Sequence, residues 1–414
     1  MDPRPWCEII RQWSTFHPEF AFLPRKFKIA VTAASHDRAA IRVHDIGLHM
    51  RQRDHVTGFE VHVGGGQGRT PLIAAKVHDF LPEDELLDYL EAIMRVYNRH
   101  GRRDNKYKAR IKILVQETGA EEFARQVNEE YAAQRSHEKI DLGQDEIDRI
   151  HAYFAPPPFA DKPATSEVFN KAVAADEGLE RWVRNNLHPH KQPGYTSLTI
   201  SLKPIAGETG DMTADQMEVA ADLAKQYGFD DIRVTHTQNL VLPHIALDDV
   251  PAIYAALVKA GIATANEGLI TDMVVCPGLD YCNLANARSI PIGQEIQKVF
   301  ADPEYEDDIG KLHMNISGCI NACGHHHVGH IGILGVDKKG EEFYQISFGG
   351  RADEHARVGD ITGKGLKFEE VPPAIKRVID TYRDVRLSRT ETFIEAFERL
   401  GADPFKEALY DAAD

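Results

Sequence analysis

The sequence of 414 residues has only five cysteines and no long apolar run. Five is an odd number, and it is too few for the disulfide framework of a secreted protein of this size. No segment approaches the length of about 20 apolar residues that a membrane-spanning helix needs, and no charged-then-apolar leader follows Met1. These absences predict a cytoplasmic protein without membrane association, in which cysteines bind a metal.

The chain also lacks an excess of positive charge. It has 48 Lys and Arg residues against 64 Asp and Glu residues, which gives a formal net charge of -16. Broad nucleic-acid binding needs basic stripes that neutralise phosphate, so nucleic acid is not an expected partner. An apolar content of 43% and a charged content of 27% are typical of a globular protein. At this length we expect two or three domains.

Four of the five cysteines lie within 48 residues of one another. Cys276 and Cys282 belong to "CPGLDYC", and Cys319 and Cys323 belong to "GCINACG". Four soft thiolates suit an iron–sulfur cluster or a tetrahedral zinc ion. Structural zinc sites usually use closer cysteine pairs, so the spacing favours iron–sulfur. Buried cysteines without a metal are the third interpretation.

Strand-like and helix-like segments alternate along the chain, which predicts the α+β class. The segments 27–34, 58–66 and 109–116 are predicted strands, and 83–100 is a predicted helix. The proline-rich segment 151–167 is the best candidate for a linker.

A βαββα unit of ferredoxin-like type is predicted at 193–265. A strand-like segment, "YTSLTISLKPIAG", precedes a helical pattern that begins with a Thr cap, "TADQMEVAADLAKQYG". A predicted strand pair, "DIRVTHTQNLVLPHI", and a second predicted helix, "DDVPAIYAALVKAGI", complete the unit.

The sequence also matches itself without a gap when it is shifted by 285 positions. Residues 27–48 then lie on 312–333, Gly47 lies on Gly332, and Tyr97 lies on Tyr382. Glycine pairs at the ends of two predicted strands coincide as well, namely Gly64 with Gly65 and Gly349 with Gly350. A single offset that joins two strands and a helix predicts a structural repeat. Cys319 and Cys323 face Ala34 and Arg38, so only one repeat carries thiols.

The repeat also predicts how the chain is organised. Counterparts of the βαββα unit and of Cys276 and Cys282 would fall before residue 1, so we expect the chain to begin partway through its first repeat. The predicted domains are a first, cluster-less repeat at 1–135, a linker and wrapping segment at 136–192, the ferredoxin-like domain at 193–265, and a second repeat at 266–414.

The cysteine motifs, with "LPRKFKIA" upstream and "THTQNLVLP" between, resemble those of the assimilatory sulfite and nitrite reductases. The resemblance implies a pseudo-two-fold fold with an intervening ferredoxin-like domain and, as cofactors, sirohaem and a 4Fe–4S cluster. It implies four cluster ligands: Cys276, Cys282, Cys319 and Cys323. It also implies that Cys323 bridges the cluster to the sirohaem iron.

The implied reaction is the six-electron reduction of sulfite to sulfide or of nitrite to ammonia. No flavin or nicotinamide fingerprint is present, so the expected electron donor is ferredoxin or a flavoprotein reductase. One alternative is a catalytically impaired fragment, because in the family the missing N-terminal ferredoxin-like unit contributes arginines to the pocket. Others are a zinc-stabilised binding protein and a precorrin-modifying oxygenase built on the same repeat.

Two lysines are predicted to contact the substrate. On a strand, Lys26 and Lys28 would project from one face, with Arg25 and Phe27 on the other. Two adjacent ammonium groups could bind an oxyanion and deliver protons, although a solvated basic strand end is the simpler interpretation. The resemblance implies that the lysines bind substrate and that Arg25 pairs with a sirohaem carboxylate.

Four further residues are expected near the macrocycle. Gln238 and Asn239 match the Thr-x-x-Gln pattern of the family, where the alternative is a hydrogen bond at a strand end. Asn321 could contact the haem or cap a turn. Lys191 is a candidate partner for a haem carboxylate.

Overall fold

The computed structural model describes residues 1–137 and 139–411, which form two compact units. Of the described residues, unit 1 comprises those of 1–156 and 351–358, and unit 2 comprises those of 157–350 and 359–411. The division after Pro156 lies inside the proline-rich segment. Residue 138, within the predicted linker, and residues 412–414, at the end of the predicted second repeat, lie outside the described residues.

Unit 1 is built on one four-stranded sheet with the strand order β1-β2-β3-β4. The strands are β1 Ile29–Thr32, β2 Ile46–Arg53, β3 Val56–Val63 and β4 Ala75–Pro82. Strands β1 and β2 are parallel, and the other pairs are antiparallel. Its helices are α1 Arg4–Ser14, α2 Pro18–Ala21, α3 Leu86–His100, α4 Ile111–Thr118, α5 Ala120–Arg135 and α6 Gln144–Tyr153.

The core of unit 1 explains one wrong prediction. Segment 109–116 was expected to be a strand, but residues 111–118 form helix α4. The alternation of Ile111, Ile113 and Val115 resembles a strand, yet Ile111 and Val115 are also four residues apart, and both pack into the core. A short apolar run of this kind fits either period.

Unit 2 begins with the ferredoxin-like part. Its sheet has the order β5-β6-β8-β7, with β5 Leu187–Pro189, β6 Tyr195–Ile200, β7 Arg233–Val234 and β8 Leu240–Ala246. Its helices are α7 Glu167–Ala175, α8 Glu177–Asn186, α9 Ala214–Tyr227 and α10 Val250–Ala260. The βαββα order is confirmed, and Thr213 caps α9 in a capping box with Gln216.

The rest of unit 2 is a five-stranded sheet with the order β13-β12-β11-β10-β9. The strands are β9 Val274–Val275, β10 Met314–Ser317, β11 Ile331–Lys338, β12 Glu341–Phe348 and β13 Asp360–Ile361. The helices are α11 Gly278–Tyr281, α12 Ile290–Val299, α13 Pro303–Ile309, α14 Val371–Val385, α15 Phe393–Leu400 and α16 Asp403–Tyr410.

The predicted repeat is present in the structure. We call β1, β2, β3 and α3 the first copy, and β10, β11, β12 and α14 the second copy. Each element of the second copy begins and ends 285 positions after its counterpart. The registers also agree, because Ile29 pairs with Ile46 and Met314 pairs with Ile331. The α+β class with repeated units is therefore confirmed.

The repeated glycines mark a close backbone approach that both copies share. A Cβ atom at Gly47 would overlap the carbonyl oxygen of Ile41, and one at Gly332 would overlap that of His326. Each glycine thus lets the turn before the second strand of its copy pack directly on that strand. Among the residues described, no helix is both long enough and apolar enough to cross a membrane.

Candidate functional site

Cys276 directly follows strand β9 and is only 8% exposed. Its Sγ accepts a hydrogen bond from the backbone N–H of Gly318, with an N···S distance of 3.0 Å. The hydroxyl of Ser289 lies 3.4 Å from the same sulfur. Because Gly318 immediately precedes Cys319, this contact joins the two cysteine motifs.

One short helical turn, α11, separates Cys276 from Cys282. Gly278 has a φ of +62°, and a Cβ atom there would lie 2.5 Å from the backbone nitrogen of Ser289. The backbone N–H of Cys282 donates to the carbonyl of Gly278 at 2.9 Å. The five residues between the two cysteines therefore make a turn that needs glycine, which is why "CPG" begins the motif.

The second cysteine pair follows strand β10 in a tight loop. The N–H of Ala322 donates to the carbonyl of Cys319 at 3.1 Å, and Ala322 has a φ of +57°. A Cβ atom at Gly324 would overlap the carbonyl oxygen of Ile316, so the chain turns back against β10 after Cys323. Cys319 is buried and Cys323 is exposed.

The four thiols come together around Cys319. Burial raises the pKa of the Cys319 thiol, and a backbone hydrogen bond from Asn321 opposes that rise. Cys323, Cys276 and Cys282 each raise this pKa further, so all three lie within electrostatic range of Cys319. Four mutually repelling thiolates need a positive centre to hold them in the ionised form.

Gln238 fixes the backbone beside Cys276. Its Nε2 donates to the carbonyl of Val275 at 2.8 Å, and the N–H of Val275 donates to its Oε1 at 2.9 Å. Both polar groups of the side chain thus pair with the residue before the first cysteine. This gives Gln238 a positioning role, and contact with a macrocycle stays a prediction.

Asn239 lies in a fully buried polar network. Its Oδ1 accepts from the Leu202 N–H at 3.0 Å and from Lys203 Nζ at 3.1 Å, and its Nδ2 donates to Asp272 at 3.0 Å. Lys203 and Asp272 form an ion pair of 2.9 Å. Asn239 is completely inaccessible in this network, and its contact with the macrocycle edge stays a prediction.

Two other predicted binding residues are accessible. Asn321 is exposed in the loop between Cys319 and Cys323, and Lys191 is exposed in the turn between β5 and β6. Nothing in their contacts assigns a ligand to either side chain, so both remain predictions. The backbone of Asn321 donates a hydrogen bond to Cys319.

The predicted substrate residues lie in unit 1, just before strand β1. The strand begins at Ile29, so the prediction that Arg25, Lys26 and Lys28 alternate on a strand is wrong. Arg25 and Lys26 are exposed and Lys28 is half-buried. Phe27 packs against the ring of Tyr97, with ring centroids 5.8 Å apart, and so anchors the segment to the core.

Lys28 belongs to a charged group that extends into the core. Its backbone N–H donates to Asp45 Oδ2 at 2.9 Å, and Arg110 Nη2 donates to the same carboxylate at 2.6 Å. Burial raises the pKa of Asp45, and Arg110 opposes the rise. The residue before β1 is therefore fixed through its backbone.

Sequence reasoning missed a buried lysine in unit 1. Lys112 Nζ donates to the carbonyl of Gln67 at 2.7 Å and also to that of Thr70. Burial lowers its pKa to about 8. The signal was a lysine within the apolar run "IKILV". Lys203 in "SLKP" and Asp272 in "LITDMVV" carry a similar signal.

Comparison with known proteins gives two family matches. The model for the nitrite and sulphite reductase 4Fe-4S domain matches residues 1–136 and 268–413. The model for the nitrite/sulfite reductase ferredoxin-like half domain matches residues 188–260. The first match alone covers more than half of the chain and includes all four cysteines of the site.

Curated relatives are similar over nearly the whole chain. Sulfite reductase (ferredoxin) 1 of Mycolicibacterium paratuberculosis is 27% identical over 95% of this chain and 65% of its own length. The chloroplastic ferredoxin–nitrite reductase of Arabidopsis thaliana is 24% identical over 92% of this chain and 60% of its own length. The ferredoxin–nitrite reductase of Synechococcus elongatus is 28% identical, over 87% and 64%. The chain thus spans less than two thirds of the length of these relatives.

A solved structure supports the fold. The NirA protein of Mycobacterium tuberculosis superposes with a TM-score of 0.73 at 23% identity, covering 97% of this chain and 68% of the other.

Proposed function

Because the chain belongs to the nitrite and sulphite reductase 4Fe-4S family, we propose that it reduces sulfite to sulfide or nitrite to ammonia. Members of this family carry sirohaem and a 4Fe–4S cluster. The observation that carries the proposal is the hydrogen bond from the Gly318 N–H to Cys276 Sγ, which joins the two cysteine motifs within the matched region.

Each cysteine has a part in the proposed site. Cys276, Cys282, Cys319 and Cys323 would hold the cluster, and Cys323 would also present its sulfur to the sirohaem iron. The exposure of Cys323, in contrast to the burial of Cys276 and Cys319, supports this division. When bound, the two groups supply one-electron transfer and an iron atom at which the oxyanion is reduced.

Basic side chains would bind the anions in this reaction. We assign Lys26 and Lys28 to the oxyanion, because ammonium groups stabilise the growing negative charge and donate protons as electrons arrive. Arg25 and Lys191 would bind sirohaem carboxylates, since both are exposed cations without an assigned structural role.

Ferredoxin is the proposed electron donor, because the relatives named above include ferredoxin-dependent enzymes for each substrate. The chain would receive single electrons from it. A flavoprotein reductase is the alternative donor, and comparing the two donors with the same enzyme preparation distinguishes them.

The direct experiment is steady-state reduction of sulfite and of nitrite by the cofactor-loaded chain with reduced methyl viologen. We expect sulfide or ammonium to form with six electrons consumed per product. The Lys26→Met/Lys28→Met double variant should lose most of this activity while keeping its absorption spectrum. Lys171→Met is the control, because Lys171 is an exposed lysine on α7 whose ion pair is with Glu167 of the same helix.

A fully loaded protein that reduces neither anion would overturn the proposal and support the impaired-fragment alternative. Equal activities of the double variant and of Lys171→Met would remove only the roles of Lys26 and Lys28.

A further inference from the structure

Ser289 occupies a helix-capping position but does not cap the helix. It is the residue before α12, where serine usually accepts a hydrogen bond from the first turn, and its side chain makes no such bond. Its hydroxyl instead lies 3.4 Å from Cys276 Sγ. Among the residues described, that sulfur is its hydrogen-bond partner, and Ser289 is fully buried. The usual structural reason for serine at this position is therefore absent.

Two glycines leave the space that this hydroxyl occupies. A Cβ atom at Gly278 would lie 2.8 Å from Ser289 Oγ, and a Cβ atom at Gly318 would lie at the same distance of 2.8 Å. Gly278 belongs to the first cysteine motif, and Gly318 precedes the second. Both cysteine loops thus close around the hydroxyl, and its position beside the sulfur is set from two sides.

We propose that Ser289 donates a hydrogen bond to the cluster ligand Cys276 and thereby raises the reduction potential of the cluster. The inference rests on the proposed function, because it requires Cys276 to be bound as a thiolate. A thiolate bound to iron has no proton, so the hydroxyl must be the donor. The Gly318 N–H is a second donor to the same sulfur, but a side-chain substitution cannot remove it.

The direction of the effect follows from charge. Reduction adds one electron to the cluster and increases the negative charge on its sulfur ligands. A donor that points at such a sulfur stabilises the reduced state more than the oxidised state, so it raises the potential. The burial of both Ser289 and Cys276 strengthens the bond, because no bulk water competes for the sulfur.

The test compares Ser289→Ala with the unchanged chain. Iron and acid-labile sulfide are measured first, and the cluster is then titrated under EPR detection. We expect full cluster content in both proteins and a more negative potential in Ser289→Ala. Pulsed EPR after exchange into D₂O should also show one strongly coupled exchangeable proton fewer in the variant. A structural role alone would change neither readout.

Ser347→Ala is the matched control. Ser347 is a buried serine of the same unit whose hydroxyl lies 3.5 Å from the carbonyl oxygen of Gly332, and its hydrogen bond is not to a cysteine. This variant should keep the original potential. Ser289→Gly removes the same hydroxyl and serves as a second variant if Ser289→Ala folds poorly.

Each remaining outcome is decisive. An unchanged potential and proton coupling in a fully loaded Ser289→Ala protein would overturn the inference and leave the proposed function intact. Failure of both Ser289 variants to load, while Ser347→Ala loads, would also overturn it, because the hydroxyl would then serve assembly. Absence of a cluster from the unchanged chain would overturn both proposals.

Discussion

The two copies use the same strands, register and helix, yet they differ in the loop after the first strand. In the first copy, Ala34 and Arg38 occupy the positions that Cys319 and Cys323 occupy in the second. The first copy folds on this frame without a thiol, so the frame does not need one. The difference teaches that the shared strands and helix accept other residues at the two cysteine positions, which agrees with the proposed role of Cys319 and Cys323 as cluster ligands.

The two copies also differ in the residue at one buried position, in the turn before the second strand. Ile41 in the first copy and His326 in the second are each 2% exposed. Among the residues that the structure describes, neither ring nitrogen of His326 has a hydrogen-bond partner. An unpaired buried imidazole costs stability, so the second copy accepts a polar ring where the first has an apolar side chain.

The largest expected effect is a loss of the cluster when a cysteine of the second copy is replaced by the residue at the matching position of the first copy. Cys319→Ala places alanine at the position of Ala34, so the frame should still fold. It should lose essentially all cluster iron, because Cys319 is one of the four proposed cluster ligands. Iron and acid-labile sulfide analysis after reconstitution measures this loss.

Cys7→Ala is the control for that variant, because Cys7 is the one cysteine outside the two motifs. It should retain the full iron content. Normal iron in Cys319→Ala would contradict the assignment of this thiol.

A middle-sized effect concerns the two buried lysines, one in each unit. Lys203→Met leaves the Asp272 carboxylate buried and without its ion-pair partner, which should cost about 3–5 kcal/mol of unfolding free energy. Lys112→Met, in unit 1, leaves only backbone carbonyls unpaired and should cost about 1–3 kcal/mol.

Urea unfolding of the full chain measures both losses. Because the Lys203 network holds Asn239 and Asp272 near the Cys276 strand, Lys203→Met should also reconstitute with less iron than Lys112→Met. A Lys203→Met protein that is no less stable than Lys112→Met and has equal iron would contradict the positioning role of this network.

The smallest expected effect concerns His326→Ile, which introduces the residue of the first copy. Burial, with smaller contributions from His327 and His325, lowers the pKa of His326 to about 2 from an ordinary value of 6.5. Below pH 6.5 the unfolded chain takes up a proton that the folded chain does not, so the folded state loses stability as the pH falls.

His326→Ile should therefore be more stable by about 1 kcal/mol at pH 8, and its advantage should be larger at pH 5. Urea unfolding of both proteins at the two pH values measures this. An equal gain in stability at pH 5 and at pH 8 would contradict the claim that burial lowers the pKa of His326. A loss of cluster iron in the variant would give His326 a role at the metal.

Much of the fold could be predicted from local sequence signals. The glycines that meet neighbouring carbonyls, Gly47 and Gly332, recur at one offset because both copies need the same close approach. The cysteine motifs were visible because each pair of ligands lies within one short loop. Thr213 indicated the start of α9, because it begins a sequence pattern that is typical of a helix cap.

Other features could not be predicted because they depend on distant partners. Lys203 and Asp272 are 69 positions apart, and Ser289 is 13 positions from Cys276, so no local pattern pairs them. Helix α4 was missed because the spacing of its apolar residues fits both a strand and a helix. The prediction that Lys26 lies on a strand was wrong because β1 begins only at Ile29.

The most direct test of the central claim is the metal content of the anaerobically reconstituted chain, with Mössbauer spectroscopy on ⁵⁷Fe. We expect about four non-haem iron and four acid-labile sulfide per chain, in one cluster held by Cys276, Cys282, Cys319 and Cys323. One zinc per chain, or no bound iron and sulfide, would contradict it.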